Sequence, residues 1–213
     1  LSLHDALPIL RKTLYGLKQS GNKWNKRLVA ILVKIGMTQS KVDPALFVMY
    51  RNDKIVALIN TYVDDCPLMA IDDATGNKII KGLEAELKIT VDPLEFFVGI
   101  KINIDIDGRR AFLSQEAYVD QVLERFNMTH VNEAKTPQDP HVTLSKEMEP
   151  STDSEKQDMA RKPYRELVGA LNYLACATRG EISNAIKDCS RYMNNPGPSH
   201  WTAVKRILRY LKG

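Results

Sequence analysis

The sequence predicts an α+β fold in which an antiparallel sheet with backing helices is followed by a mainly helical region. Apolar, β-branched runs at 46–50, 55–63 and 66–71 are separated by short turn-prone stretches, which is typical of strands joined by hairpins. From residue 164 onward, apolar residues recur at helical spacing instead. A chain of 213 residues is long enough for one large domain or two small ones.

The composition is that of an ordinary globular protein, with 44% apolar and 26% charged residues. A net charge of +4 does not by itself indicate a polyanionic partner, so local clusters of cations decide that question. No apolar run approaches the length of a membrane span, and we expect no membrane partner. The three cysteines, Cys66, Cys176 and Cys189, lack metal-ligand spacing, which favours reduced thiols in an intracellular protein.

Two strand-like runs, 55–63 and 66–71, meet at a pair of adjacent carboxylates. Their spacing predicts a tight hairpin with Asp64 and Asp65 at its tip. Alternation along the strand aims Asp64 to the same face as Tyr62, and the twist of the turn brings Asp65 towards the same space. Two carboxylates on a rigid tip repel each other unless a divalent cation neutralises them. The alternative is an ordinary solvated Asp-Asp turn.

A basic, glycine-bearing loop over 10–20 precedes the first predicted helix, which we expect Ser20 or Asn22 to cap. Gly36 fits the end of this helix, because glycine commonly follows a helix C-terminus. A donor-rich loop at the start of a helix can cradle a triphosphate, and the alternative is an ordinary surface loop. The helix face expected to be buried comprises Trp24, Leu28, Ile31, Leu32 and Ile35.

Further elements are predicted up to residue 133. A helix over 72–88 follows the acidic hairpin, and a strand over 96–106 leads into a turn at Asp107-Gly108. A return strand, 110–113, is followed by Ser114, which we expect to cap the next helix.

Residues 134–163 are rich in proline and acidic residues and carry little periodic apolar content, which predicts a linker or an irregular segment. Three helical patterns follow, over 164–177, 181–193 and from Ser199 to the last residues. The last helix carries a basic stripe on its outer side. Such a stripe is either a solvated face or a contact to nucleic-acid phosphates. Its members are Lys205, Arg206, Arg209 and Lys212.

Several segments resemble copia-type (Pseudoviridae) retrotransposon reverse transcriptases. Leu14 to Ser20, followed by Trp24, is similar to the signature L-Y-G-L-K-Q-S-P-R-x-W, and Tyr62 to Asp65 matches the Y-V-D-D box. The similarity runs in the family's order from residue 10 to the last residue, so the chain resembles an interior fragment of a Pol polyprotein. The other matching segments are 40–47, 97–102, 113–118, 164–169 and 206–213.

The resemblance implies an RNA-directed DNA polymerase that works by two-metal nucleotidyl transfer, with Mg²⁺ as cofactor or Mn²⁺ in its place. Asp64 and Asp65 would be catalytic and bind the metal. The implied partners are an RNA/DNA primer-template, dNTPs and the remainder of the Pol polyprotein. The implied nucleotide-binding residues are Lys18, Gln19 and Tyr62, and the implied primer grip is Phe97, Val98 and Gly99.

The same resemblance suggests a domain layout. Residues 1–9 resemble a translated sequencing adapter and are expected to be foreign to the fold. Residues 10–133 would form a partial palm and a thumb-like region, 134–163 a linker, and 164–213 a helical connection preceding an RNase H domain. The family takes a third carboxylate from a strand before the Leu14–Ser20 segment, so we expect the chain alone to be inactive.

The sequence departs from the family pattern at several points. Gly21-Asn22 stands where the family has Pro-Arg, Pro67 lies in the strand leaving the acidic tip, and Lys88 is only a candidate for the family's lysine general acid. Two other functions therefore remain open, a non-catalytic nucleic-acid-binding remnant and an interaction scaffold. By resemblance, the location would be a cytoplasmic virus-like particle.

Overall fold

A computed structural model describes residues 16–213. The chain divides into two compact units, unit 1 up to Val98 and unit 2 from Gly99 to Gly213. The expected leader at 1–9 and the start of the basic loop lie outside the described residues. Within residues 16–213, every helix is too short or too polar to cross a bilayer.

Unit 1 is built on a four-stranded antiparallel sheet whose strands lie in sequence order. Strand β3 therefore has a hydrogen-bonded neighbour on each side. In the register of the sheet, Ile59 of this strand lies opposite Phe47 on one side and opposite Leu68 on the other. The strands are β1 (Thr38–Gln39), β2 (Leu46–Arg51), β3 (Lys54–Asn60) and β4 (Leu68–Ala70).

The turns of this sheet explain where its strands end. Asn52 and Asp53 have φ values of 51° and 59°, the pattern of a type I′ hairpin turn. The predicted strand 55–63 ends earlier, at Asn60, because the N–H of Thr61 bonds to the carbonyl of Ala45 outside the β2–β3 ladder. Hairpin pairing resumes at Tyr62.

Two helices back the sheet. Helix α1 spans Ser20–Ile35 and ends at Gly36, whose φ of 101° confirms the expected glycine stop. Its N-cap is Gln19 rather than Ser20 or Asn22, because the helix already includes Ser20, and the Gln19 side chain makes no capping hydrogen bond. Helix α2 spans Asp73–Glu84, and the side chain of Asp72 caps it by accepting from the N–H of Thr75.

The core of unit 1 lies between these helices and one sheet face, which confirms the predicted antiparallel sheet backed by two helices. The helices approach closely at Gly82, where an added Cβ would lie 2.8 Å from Cγ1 of Ile35. Trp24, on the predicted apolar face, is half-buried at the edge of the core. The buried residues are Leu28, Ile31, Leu32, Met37, Phe47, Met49, Val56, Ala57, Ile59, Ile79 and Leu83.

The predicted strand 96–106 is interrupted. Strand β5 comprises Phe96–Phe97 at the end of unit 1, and β6 spans Ile100–Asp105 in unit 2. Val98 and Gly99 have φ values of 50° and 73°, so the backbone turns between the two strands. Strand β7, Arg110–Ser114, pairs antiparallel with β6, and the connection from Ile106 to Arg109 is longer than the predicted Asp-Gly turn because Asp105 pairs with Arg110.

Unit 2 is mainly helical and has its own core. Helices α3, α5 and α7 contribute Val122, Leu171, Leu174 and Leu208, which are essentially inaccessible to solvent. The predicted helix 181–193 begins as a short 3₁₀ turn, and its α-helical part is α6. The helices are α3 (Glu116–Arg125), α4 (Asp153–Ala160), α5 (Tyr164–Ala177), α6 (Ser183–Ser190) and α7 (Pro198–Lys212).

The proline-rich segment 134–163 is partly ordered into regular structure. Its first half is irregular, followed by a 3₁₀ turn at Lys146–Met148 and then by α4. Thr152 and Glu155 form a capping box that satisfies the first amides of α4. Local capping therefore produces a helix where the apolar periodicity is weak.

A buried histidine fastens the 3₁₀ turn to the start of α7. Nδ1 of His200 accepts from the N–H of Gly197 at 2.8 Å, and Nε2 donates to the carbonyl of Ser145 at 3.1 Å. The imidazole ring stacks on Tyr192, with 4.1 Å between centroids. A Cβ at Gly197 would lie only 1.8 Å from the Met148 carbonyl oxygen, so glycine permits this close approach.

His200 should make the stability of the chain pH-dependent. Burial lowers its pKa below the ordinary value of 6.5, and the Ser145 carbonyl and Glu149 oppose this shift only in part. The unfolded chain then binds more protons than the folded chain below about pH 6.5, so stability is full above that pH and falls as the pH drops. Urea denaturation between pH 5 and 8 should show this loss, and His200→Gln should flatten it. The exposed His141→Gln serves as control, and an equal pH dependence in both variants would contradict the assignment.

Candidate active site

The acidic pair lies on a two-residue hairpin. Tyr62 and Asp65 exchange both backbone hydrogen bonds, at 2.8 and 2.9 Å, so the turn residues are Val63 and Asp64. The turn thus lies one residue earlier in the sequence than the expected tip at Asp64 and Asp65. Because directly opposed residues share a face, Asp65 rather than Asp64 is the cross-strand neighbour of Tyr62. Both carboxylates are exposed.

Val63 has an unusual backbone conformation. Its φ is 54°, and it is the only one of the two turn residues with a positive φ, which is the pattern of a type II′ turn. Glycine normally occupies this position, and a β-branched residue there is a genuine outlier that costs about 1–3 kcal/mol. The surrounding structure must therefore hold the turn.

Helix α1 supplies one such contact. The indole N–H of Trp24 donates to the carbonyl oxygen of Val63 at 2.7 Å, across 39 residues of sequence. Sequence reasoning placed Trp24 on the buried face of α1 and in the family signature, but gave its N–H no partner. The indole N–H was the signal that could have predicted a polar contact, because the N–H of a buried tryptophan usually finds an acceptor.

The expected primer-grip and acidic segments meet within unit 1. The rings of Tyr62 and Phe97 pack edge to face, with 6.3 Å between centroids. Phe97 and Val98 are half-buried, whereas Gly99 is exposed and already belongs to unit 2. The aromatic contact fixes the position of β5 beside the turn.

Lys18 and Gln19, the expected nucleotide-binding residues, are exposed just before α1. The carbonyl of Gln19 accepts from the N–H of Lys23 and so joins the first turn of the helix. Gln19 precedes Trp24 by five residues, or about 7.5 Å along a helix axis. Both residues therefore immediately precede the helix that carries Trp24.

The donor set at the turn fits a hard divalent ion only in part. Asp64 and Asp65 offer exposed carboxylate oxygens, the ligands that Mg²⁺ prefers. Within residues 16–213, no cluster of three His, Cys, Asp or Glu side chains could hold a metal. Burial raises the pKa of the neighbouring Cys66 thiol to about 11, with further contributions from Asp65 and Asp64, so Cys66 is no thiolate ligand at neutral pH.

The basic stripe is half-buried rather than freely solvated. Arg209 and Lys212 donate to the carbonyl oxygens of Asn132 and Val131 at 2.7 and 2.8 Å. Arg206 donates to the Thr136 carbonyl and pairs with Asp139, while Lys205 lies over the ring of Trp201. Three of the four cations thus hold the chain at 131–139 against α7.

The family model for reverse transcriptase (RNA-dependent DNA polymerase) matches residues 5–140. The chain belongs to this family. The reverse transcriptase match includes the acidic hairpin, Trp24 and β5.

Relatives from plant transposons extend the similarity to the helical unit. The chain is 36% identical over 209 residues to the retrovirus-related Pol polyprotein from transposon TNT 1-94 of Nicotiana tabacum, covering 96% of this chain and 15% of that protein. It is 36% identical over 205 residues to the corresponding polyprotein from transposon RE1 of Arabidopsis thaliana, covering 96% of this chain and 13% of that protein. These matches confirm the copia-type resemblance. No solved structure gives a significant match.

The Cys66 thiol should report the charge of the acidic turn. Because Asp65 and Asp64 help to raise its pKa, Asp65→Asn should lower that pKa and speed alkylation by iodoacetamide between pH 8 and 10. Peptide mass spectrometry separates Cys66 from Cys176 and Cys189. Asp53→Asn removes another exposed carboxylate, from the β2–β3 turn, and a matching rate increase in that variant would contradict the local effect.

Proposed function

We propose that the chain contributes the metal-binding hairpin of an RNA-directed DNA polymerase that acts by two-metal nucleotidyl transfer. The observation that carries this proposal is the Tyr62–Asp65 hairpin, a rigid turn that presents two exposed carboxylates and is fastened by Trp24. A purely solvated turn needs neither a strained valine nor a long-range indole contact. Family membership supplies the reaction class.

Asp64 and Asp65 are the proposed metal ligands, for Mg²⁺ or Mn²⁺. When bound, paired divalent ions activate the primer 3′-hydroxyl and stabilise the leaving phosphates. The contribution of the chain is to hold the two carboxylates on a short, hydrogen-bonded turn. Preorganisation of this kind reduces the cost of assembling charged groups around a substrate.

The remaining roles are carried over from the family. Lys18 and Gln19 are proposed to contact the incoming dNTP, with Tyr62 beneath the primer end or base pair. Phe97, Val98 and Gly99 are proposed as the primer grip, which the Tyr62–Phe97 contact supports. In this assignment unit 1 is palm-like and the helices of unit 2 are thumb- and connection-like, within a Pol polyprotein of a virus-like particle.

We expect the 213-residue chain alone not to extend a primer. Its described residues provide two clustered carboxylates where the family uses three. Loss of one preorganised electrostatic group typically costs about a hundred- to a thousand-fold in rate. Primer extension on an RNA template with Mg²⁺ or Mn²⁺ tests this, with Asp64→Asn alongside. Extension by the chain that disappears in the variant would contradict the requirement for a further carboxylate.

A fusion tests the polymerase assignment itself. Joining the chain to the preceding part of the Nicotiana tabacum relative, as source of that carboxylate, should allow extension that Asp64→Asn abolishes. Extension that is indifferent to Asp64 would exclude the proposed catalytic role. Binding of primer-template without any Asp64-dependent step would favour a non-catalytic remnant, and no binding would favour a scaffold.

Contact between the basic stripe and nucleic acid is best tested at Lys205. The other three cations hold the chain at 131–139, so replacing them also disturbs unit 2. Lys205→Ala should reduce the salt dependence of primer-template binding by about one phosphate contact without lowering the melting temperature. Lys187→Ala, which removes an exposed lysine from α6, is the matched control, and equal salt slopes for all proteins would leave the stripe a structural feature.

A further inference from the structure

The contact between Trp24 and the acidic turn has a consequence for metal binding. We infer that Trp24 is a positioning residue: its indole N–H holds the Val63 carbonyl and thereby keeps Asp64 and Asp65 in the arrangement that binds a divalent cation. This inference rests on the proposed function, because it concerns the same metal site. The described contacts give Trp24 a defined geometric role, distinct from contributing apolar area.

The geometry of the turn explains why such an anchor is needed. Val63 and Asp64 are joined by one peptide unit, and the Val63 carbonyl belongs to that unit. Fixing the carbonyl therefore fixes the orientation of the peptide immediately before Asp64. Val63 has a φ of 54°, which is strained for valine. Without an anchor, the turn would lower its free energy by rotating this residue towards its preferred conformations. The 2.7 Å hydrogen bond opposes that rotation.

The position of Trp24 makes the anchor rigid. Trp24 lies one helical turn before Leu28, which is buried in the core of unit 1 together with Leu32. The indole ring is half-buried at the edge of this core, whereas Val63 is 64% exposed. The donor is thus fixed by packing, and the acceptor is on an exposed turn that has little packing of its own. The hydrogen bond from Trp24 therefore links the exposed acidic turn to the packed core of unit 1.

Trp24→Phe removes the N–H donor and keeps an aromatic ring in the same place. Mn²⁺ affinity of the chain, measured by titration calorimetry and by electron paramagnetic resonance of free Mn²⁺, should fall about three- to tenfold, the equivalent of one ordinary hydrogen bond. Trp201→Phe in unit 2 should leave Mn²⁺ affinity unchanged. Asp64→Asn should lower it more strongly than Trp24→Phe.

A second variant separates positioning from general loss of packing. If Trp24 acts by holding Val63 in its left-handed conformation, Val63→Gly in the Trp24→Phe background should restore part of the Mn²⁺ affinity, because glycine adopts that conformation without strain. A variant that had merely loosened the core would not be rescued by a change on the exposed turn. Failure of Val63→Gly to restore affinity would overturn the positioning role.

Nuclear magnetic resonance tests the contact in the unaltered chain, even if Trp24→Phe folds poorly. The sequence has two tryptophans, so the two indole N–H signals can be assigned with Trp201→Phe. The Trp24 indole proton should exchange slowly with solvent, and its signal should move on Mg²⁺ addition in the unaltered chain but not in Asp64→Asn. Rapid exchange, or no response to Mg²⁺ while Asp64→Asn still weakens Mn²⁺ binding, would overturn the inference and leave the metal assignment intact. Equal Mn²⁺ affinity of Asp64→Asn and the unaltered chain would instead refute the proposed metal site.

Discussion

Strand β3 is hydrogen-bonded to β2 on one side and to β4 on the other, and the described part of unit 1 depends on this central pairing. The pairing with β2 sets the register that buries Phe47 and Ile59 against the two helices. The pairing with β4 returns the chain directly after the acidic turn. A two-residue hairpin at this point has both ends fixed by the sheet, so the carboxylates cannot drift far from the core.

The acidic turn also shows how a strained residue can be retained in a short loop. Ladder bonds between Tyr62 and Asp65 close the turn, and the Trp24 indole fixes the carbonyl between them. The edge-to-face contact of Tyr62 with Phe97 adds a third restraint. Exposed carboxylates, a strained Val63 and these three restraints, two of them long-range, are together typical of a functional turn, because strain persists only where neighbouring contacts over-determine the backbone.

Unit 2 uses polar contacts to fasten irregular chain onto packed helices. His200 joins the start of α7 to the 3₁₀ turn, and Arg209 and Lys212 bind backbone carbonyls before residue 134. Arginine and lysine are efficient here because their donors satisfy carbonyl oxygens that no strand or helix pairs. Cations that resemble a nucleic-acid stripe in the sequence thus have a structural role first.

The sequence by itself determined the features that depend on local periodicity: the antiparallel strands, the helix ended by Gly36, the helix 164–177 and the acidic hairpin with its family. Tertiary structure decided the rest. It moved the turn to Val63-Asp64, broke the strand at Val98, and gave Trp24 and the basic stripe their partners. The physical reason is the sequence separation of the interacting residues. Periodicity shows which face of an element is apolar, but it does not show which distant residue will contact that element. The donor for the Val63 carbonyl lies 39 residues away and is selected only when α1 packs on the sheet.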